Sequence, residues 1–227
     1  MNRNLFSKDF LKEYFKTDSQ RGYNIAYRSC KKPIARKKGL LHNKLWESHC
    51  SGKVTIYLSP SRKDVCYWAT LDVDVLKKGE TLTFEGLNKN SQHLSTLKWC
   101  LNKTGLSENK YLFILNGRGF HLHFFFNTGV PSSIAYDFLK IIKSSFEDEY
   151  FKATGIEPEW KIDLRPEKSI GAKACIQLPG YNFVTERFAV PFIIDNSGMA
   201  KEVDALPQIQ KAPIDTVISI IVEFKKG

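Results

Sequence analysis

The chain has 227 residues, 42% of them apolar and 13% aromatic, which is enough to bury the core of one large domain or of two lobes flanking a cleft and excludes a disordered tail. Its formal charge of +10 favours a polyanionic partner, because Lys and Arg neutralise phosphates and release their counterions. Five scattered cysteines, Cys30, Cys50, Cys66, Cys100 and Cys175, include no Cys-x-x-Cys pair and argue against a disulfide framework or a zinc module.

From the N-terminus, MNRNLFSKDF has no signal-peptide pattern, and Leu5, Phe6, Phe10, Leu11, Tyr14 and Phe15 recur at helical spacing. Arg28 to Lys38, RSCKKPIARKK, reads as a basic loop, a solvated surface whose charges also suit a template strand. Strands are expected at Lys53 to Leu58 and Val65 to Val75, with a turn at Ser59-Pro60-Ser61 between them. A helix from about Asn90 to Asn102 follows, then strands at Tyr111 to Leu115 and Phe120 to Phe126 around a Gly-rich turn. Pro131 opens a long helix to about Ala153, its inner face supplied by Ile134, Phe138, Leu139, Ile141, Ile142 and Phe146. A short strand lies near Trp160 to Leu164, and Pro213 to Phe224 reads as a capping helix or a strand. The run from Val217 to Val222 is too short for a bilayer, so a soluble, cytoplasmic protein with no membrane partner is expected.

From Val65 the order is β-α-β-β-α-β, the ferredoxin-like arrangement of an α+β protein, also used by RNA-recognition modules. Asp72 and Asp74 share one face of the first strand, while Leu71, Val73 and Val75 face the core. Adjacent carboxylates repel and lose hydration, so they need a compensating cation, and a hard divalent ion is the usual solution. In this topology the first strand lies between the third and fourth, antiparallel to both. Asp72, Asp74, His121 and Asp163 are then expected on one patch. Gly117 and Gly119 permit positive φ and close approach of a ligand, and Arg118 adds a fixed charge, so the turn suits a triphosphate. His121 projects on the carboxylate side, whereas His123 reads as a core histidine.

Asp72-Val73-Asp74, Asn116-Gly117-Arg118-Gly119-Phe120-His121 and Ile162-Asp163 together resemble the three-motif signature of the archaeo-eukaryotic primase superfamily, in its primase-polymerase branch. The resemblance spans roughly residues 50 to 195. It implies a two-lobed catalytic core: an N-terminal α/β lobe over 1–60, an RRM-like catalytic lobe over 61–200 and a capping segment over 201–227, all one catalytic domain. It implies that Asp72, Asp74 and Asp163 hold two divalent metals, Mg²⁺ or Mn²⁺, and that Asn116, Gly117, Arg118, Gly119 and His121 form the nucleotide site. Beyond the third motif the family has basic and polar residues on the triphosphate. This chain keeps the Leu178-Pro179-Gly180 turn but has Gln177 where arginine is expected, leaving Lys173 or Arg165 to substitute. No zinc is expected, since His42, His49 and Cys50 read as scattered ordinary residues.

The implied activity is template-dependent nucleotidyl transfer on single-stranded DNA with ribo- or deoxyribonucleoside triphosphates, by primer synthesis or extension. Lys31, Lys32, Arg36, Lys37, Lys38, Arg62 and Lys63 are candidates for the template strand, and a helicase or accessory priming domain for a partner. A gap-filling polymerase of end-joining repair shares this chemistry. From another class, a non-catalytic RRM-like module would stack bases on sheet aromatics, but Phe124 and Phe126 are expected to face the helices, leaving Phe125 alone on the open face. A metal-dependent nuclease would use the acids but would not need the Gly-Arg-Gly-x-His turn.

Overall fold

The computed structural model describes residues 4–16, 23–27, 30–37, 42–62, 64–167, 175–183 and 186–226; Lys38, Lys63 and Lys173 lie outside the described residues, as do the side chains of Lys31, Lys32, Arg36, Lys37 and Arg62. Helix α1 (Lys8–Tyr14) begins where the Ser7 hydroxyl accepts the Phe10 N–H at 3.1 Å, relieving one of the unpaired donors of the first turn. Strands β1 (Tyr23–Tyr27) and β2 (Cys30–Lys37) pair antiparallel. Residues 30–37 of the basic segment are thus a strand rather than the expected loop. Its proline, which cannot donate to a ladder, is accommodated because β2 is an edge strand. Helix α2 (Asn43–Cys50) is capped by His42, and β3 (Val54–Leu58) follows.

The expected turn continues into a two-residue strand, β4 (Ser61–Arg62), before β5 (Val65–Asp74). Helices α3 (Phe84–Asn88) and α4 (Ser91–Lys103) lead to the hairpin of β6 (Tyr111–Asn116) and β7 (Gly119–Pro131). Helix α5 (Ser132–Thr154) returns the chain to β8 (Lys161–Arg165). Short strands β9 (Ile176–Gln177), β10 (Tyr181–Asn182) and β11 (Arg187–Phe188) come next, then β12 (Val190–Ile194) and β13 (Ala200–Glu202). The C-terminal segment, left open as helix or strand, is helix α6 (Ile214–Phe224).

The chain is therefore mixed α+β with antiparallel sheets. In the large sheet β5 lies between β7 and β8, antiparallel to both, and β7 pairs with β6 on its other side. The order β8-β5-β7-β6 is that of a β-α-β-β-α-β unit, extended beyond β6 by β12 and β13. Strands β4 and β8 share one edge of β5 at opposite ends of it. A smaller sheet has the order β2-β1-β3-β9.

The period-two alternation of β5, β6 and β7 divides the core. Leu71, Val73, Phe120, Leu122 and Phe124 face a cluster built with α4, α5 and α6, in which Phe138, Leu139, Ile142 and Phe146 are buried. On the opposite face Trp68, Leu112, Ile114 and Phe125 join Leu11 and Phe15 from the N-terminal segment and Ile25 and Ile56 of the smaller sheet. Phe125 is consequently not on an open face, as its parity alone suggested. It is fully buried, with the rings of Tyr14 and Phe15 meeting it edge-on at 5.0 and 5.3 Å. Among the described residues no helix is long and apolar enough to cross a membrane.

Candidate active site

Directly opposite residues of an antiparallel pair project to the same side, so the ladder fixes which side chains meet. Asp72 on β5 stands opposite His121 on β7 and opposite Asp163 on β8, which makes one transverse row across three strands. One step inward Thr70 stands opposite His123 and Arg165; one step outward Asp74 stands opposite Gly119 and Lys161. Further inward lies Trp68, paired with Phe125 under the N-terminal segment. The face thus runs from dry aromatic rings, through a buried polar row, to carboxylates at the solvent end.

Each carboxylate is matched by a cationic or imidazole group. His121 Nε2 lies 3.3 Å from Asp72 Oδ1, and the histidine is largely buried. Burial works to raise the Asp72 carboxyl, but the His121 hydrogen bond and the charges of His121, Arg165 and Arg118 outweigh it and hold the group below its ordinary value. Asp74 is gripped by both limbs of the Arg118 fork, Nε donating to Oδ1 at 2.5 Å and Nη2 to Oδ2. Asp163 Oδ2 is 3.0 Å from Lys161 Nζ and 3.4 Å from Arg165 Nη2, while Arg165 Nη1 donates to Glu167 Oε1 at 2.5 Å.

The hairpin turn follows from its glycines, though not both in the expected way. Gly117 has φ +71°, a left-handed conformation at the first position of a two-residue hairpin, where glycine carries no steric cost. Gly119 does not have positive φ. A Cβ there would lie 1.7 Å from the carbonyl oxygen of Val73, so this glycine serves the close approach of β7 to β5 rather than that of a ligand. The turn is anchored from outside. The Gly117 carbonyl accepts from Leu82 N–H at 2.9 Å, and the Arg118 carbonyl from Val75 and Leu76 N–H at 3.3 and 3.0 Å. Asn116 Oδ1 accepts from Nδ2 of Asn182 at 3.0 Å.

The structure accordingly brings Asp72, Asp74, Asp163, His121, Arg118, Asn116 and Arg165 onto one face and turn. Gln177 belongs to the smaller sheet, where the Tyr57 hydroxyl donates to its Oε1 at 3.3 Å. Lys161 and Glu167 are site residues absent from the sequence reading, and Asn182 had no role assigned to it there. Lys161 shares the strand parity of Asp163 and was legible in principle, whereas Asn182 reaches Asn116 only through the fold. His123 is a core residue as read: fully buried, sharing a 2.6 Å hydrogen bond between Nδ1 and Thr70 Oγ1, with desolvation and then the His121 charge holding its pKa well down. His121 Nδ1, His123 Nε2 and Trp68 Nε1 are buried without a hydrogen-bond partner among the described residues.

Two further histidines, His42 and His49, have structural tasks. His42 Nδ1 accepts the Leu45 N–H at 3.3 Å and caps α2. His49 is fully buried between the carbonyls of Val54 and Pro179, 3.2 and 3.1 Å away, and desolvation lowers its pKa to about 4. The Leu178-Pro179-Gly180 turn docks on that ring, since a Cβ at Gly180 would lie 2.4 Å from it.

Oxygen donors from three neighbouring side chains at a solvent-facing sheet end suit a hard divalent ion in chemistry. In the present arrangement the carboxylates are drawn to their cations. Among the described residues no group of three or more His, Cys, Asp or Glu side chains is gathered closely enough to hold an ion. No protein-family model matches the chain, and no curated protein matches it, so the functional reading rests on the site itself.

Proposed function

We propose that the chain is a template-dependent nucleotidyltransferase of the primase-polymerase kind, with the two-lobed primase core described above. The observation that carries the reading is the row Asp163, Asp72 and His121, formed by three strands distant in sequence and ending beside the Gly117-Arg118 turn. Asp72, Asp74 and Asp163 would hold Mg²⁺ or Mn²⁺, which supply activation of an attacking 3′-hydroxyl and neutralisation of the pyrophosphate leaving group. His121, largely buried and directed at Asp72, places a nitrogen donor where a phosphate would meet the carboxylate row. Arg118 and Arg165 supply guanidinium groups for the triphosphate, and the turn fixes the first of them beside β5. The strand β2 carries Lys31, Lys32, Arg36 and Lys37 as candidates for the template.

A base-stacking module of the RNA-recognition kind is the weaker reading, because Phe125 is sealed under the N-terminal segment and offers no exposed ring for a base. The test is synthesis on unprimed single-stranded DNA with labelled ribo- and deoxyribonucleotides and Mg²⁺ or Mn²⁺, beside Asp72→Ala. Products that vanish in the variant support the primase. Extension of a supplied primer without unprimed products selects the gap-filling polymerase. Absence of both, with single-stranded DNA binding unchanged by the substitution, selects the binding module.

A further inference from the structure

The large sheet opens at the end of β6 remote from the hairpin turn. The β6–β12 ladder pairs Leu115 with Val190, Ile114 with Pro191 and Phe113 with Phe192, and there it stops, with the rings of the last pair stacked at 5.1 Å. Both strands continue, each held by its other neighbour, Tyr111 opposite Phe124 and Ile194 opposite Ala200. The gap holds a mainly apolar cavity of about 220 Å³, bordered also by the loop that carries Pro207 and Gln208. That loop is tied down where the Gln210 N–H donates to the Asn109 carbonyl at 2.7 Å. An apolar cavity of about 150 Å³ already admits a benzene-sized molecule, so this one has room for a ring with a short chain.

A fixed positive charge lines this apolar space. Lys98 reaches it from α4 with its side chain only 14% exposed, and Nζ donates at 2.7 Å to the Ile194 carbonyl, beyond the last rung of the β6–β12 ladder. Its counter-ion is Glu108, 2.8 Å away on a single 3₁₀ turn, with a side chain 60% exposed. The two ions are held unequally. Backbone anchors the ammonium in the wall, whereas the glutamate carboxylate gives up side-chain freedom to stay in a largely solvated pair. A ligand carrying a carboxylate on an apolar body would satisfy Lys98 as Glu108 does and would also fill the gap, adding the free energy of apolar burial. We propose that this cavity is a binding site for a small carboxylate with an aromatic or branched aliphatic body, whose carboxylate replaces Glu108 on Lys98. The site stands apart from the Asp72 row on β5, β7 and β8 and does not rest on the nucleotidyl-transfer reading.

The experiment titrates the full chain with hydrocinnamate and with its uncharged amide, by calorimetry and by the NMR shifts of backbone amides. Wild type is compared with Lys98→Met, Glu108→Gln and Asp72→Ala. Wild type should bind the carboxylate about tenfold more tightly than the amide, the advantage of a charged, hydrogen-bonded pair. Lys98→Met should erase that preference while the amide still binds. Glu108→Gln should tighten the carboxylate about threefold and leave the amide unchanged, since it removes only an exposed competitor. Asp72→Ala should alter neither, and the shifted amides should centre on residues 108–113 and 192–194. Equal affinities for carboxylate and amide in wild type, binding of neither, or carboxylate binding that Glu108→Gln weakens overturns the proposal. So does carboxylate binding that Asp72→Ala abolishes, which would put the probe at the other site. Lys98→Met also strips a partner from the Ile194 carbonyl, so its folding is checked by thermal unfolding; if it does not fold, the Glu108→Gln comparison decides.

Discussion

Asp72 and His121 face each other across the β5–β7 ladder with 3.3 Å between Oδ1 and Nε2, and Asp163 completes the line on the other side of Asp72. Burial works against ionisation of the central carboxylate, but His121, Arg165 and Arg118 together hold it below its ordinary value. Asp72→Asn keeps the shape and removes the charge. It is expected to lower nucleotide incorporation at least ~100-fold while the unfolding midpoint moves by less than about 4 °C, because the group lies at the solvent end of the sheet. Primer-extension rates and a thermal melt check both halves.

The two glycines of the hairpin make opposite structural demands. Ala at position 119 would place a Cβ 1.7 Å from Val73 oxygen and 2.8 Å from its carbonyl carbon, both backbone atoms that cannot step aside. A loss of about 3 kcal/mol or more is expected. At position 117 the nearest atom is Asn182 Nδ2 at 3.3 Å and the cost is that of φ +71°, about 1 kcal/mol. Urea unfolding of the two alanine variants separates these cases.

Thr70 and His123 form a buried pair in the row behind the carboxylates. Thr70→Val leaves the imidazole nitrogen without its partner and should cost about 1–3 kcal/mol. Replacing both, in Thr70→Val with His123→Leu, removes the unmet polar group as well. The double variant is expected to be more stable than the Thr70→Val single, a non-additive result that chemical denaturation would detect.

His49 gives the fold an acid-sensitive point. Its folded pKa, about 4, lies below the ordinary 6.5, so the unfolded chain binds more protons between those values. Stability from this group is complete above pH 6.5 and falls as pH drops toward 4, by about 3 kcal/mol in all. His123 acts in the same direction. His49→Gln should be less stable at neutral pH yet show a shallower decline from pH 6.5 to 4 in denaturant midpoints.

Much of this was legible in the chain. Alternation at Asp72-Val73-Asp74, the Gly117-Arg118-Gly119 turn and the Pro131 helix start are local signals, and the strand order needed only the sequence of elements. What could not be read depends on partners distant in sequence. The burial of Phe125 requires the N-terminal segment, with Tyr14 of α1 and Phe15 after it, to fold across the sheet, and the strand character of residues 30–37 requires β1 as its neighbour, since charge and a proline obscure its alternation. Gly119 looked like a ligand-side glycine because its true constraint, the Val73 carbonyl, lies on another strand. Arg118 was expected at the site, but its attachment to Asp74 follows from register and not from motif.

The aromatic wall formed by Phe15, Trp68 and Phe125 stands directly behind His123 and Thr70. Such a wall polarises poorly, so the field of the charges in front of it is not damped on that side and is focused outward into solvent. The N-terminal segment, contributing none of the candidate site residues, thereby helps set the potential at the solvent end of that face.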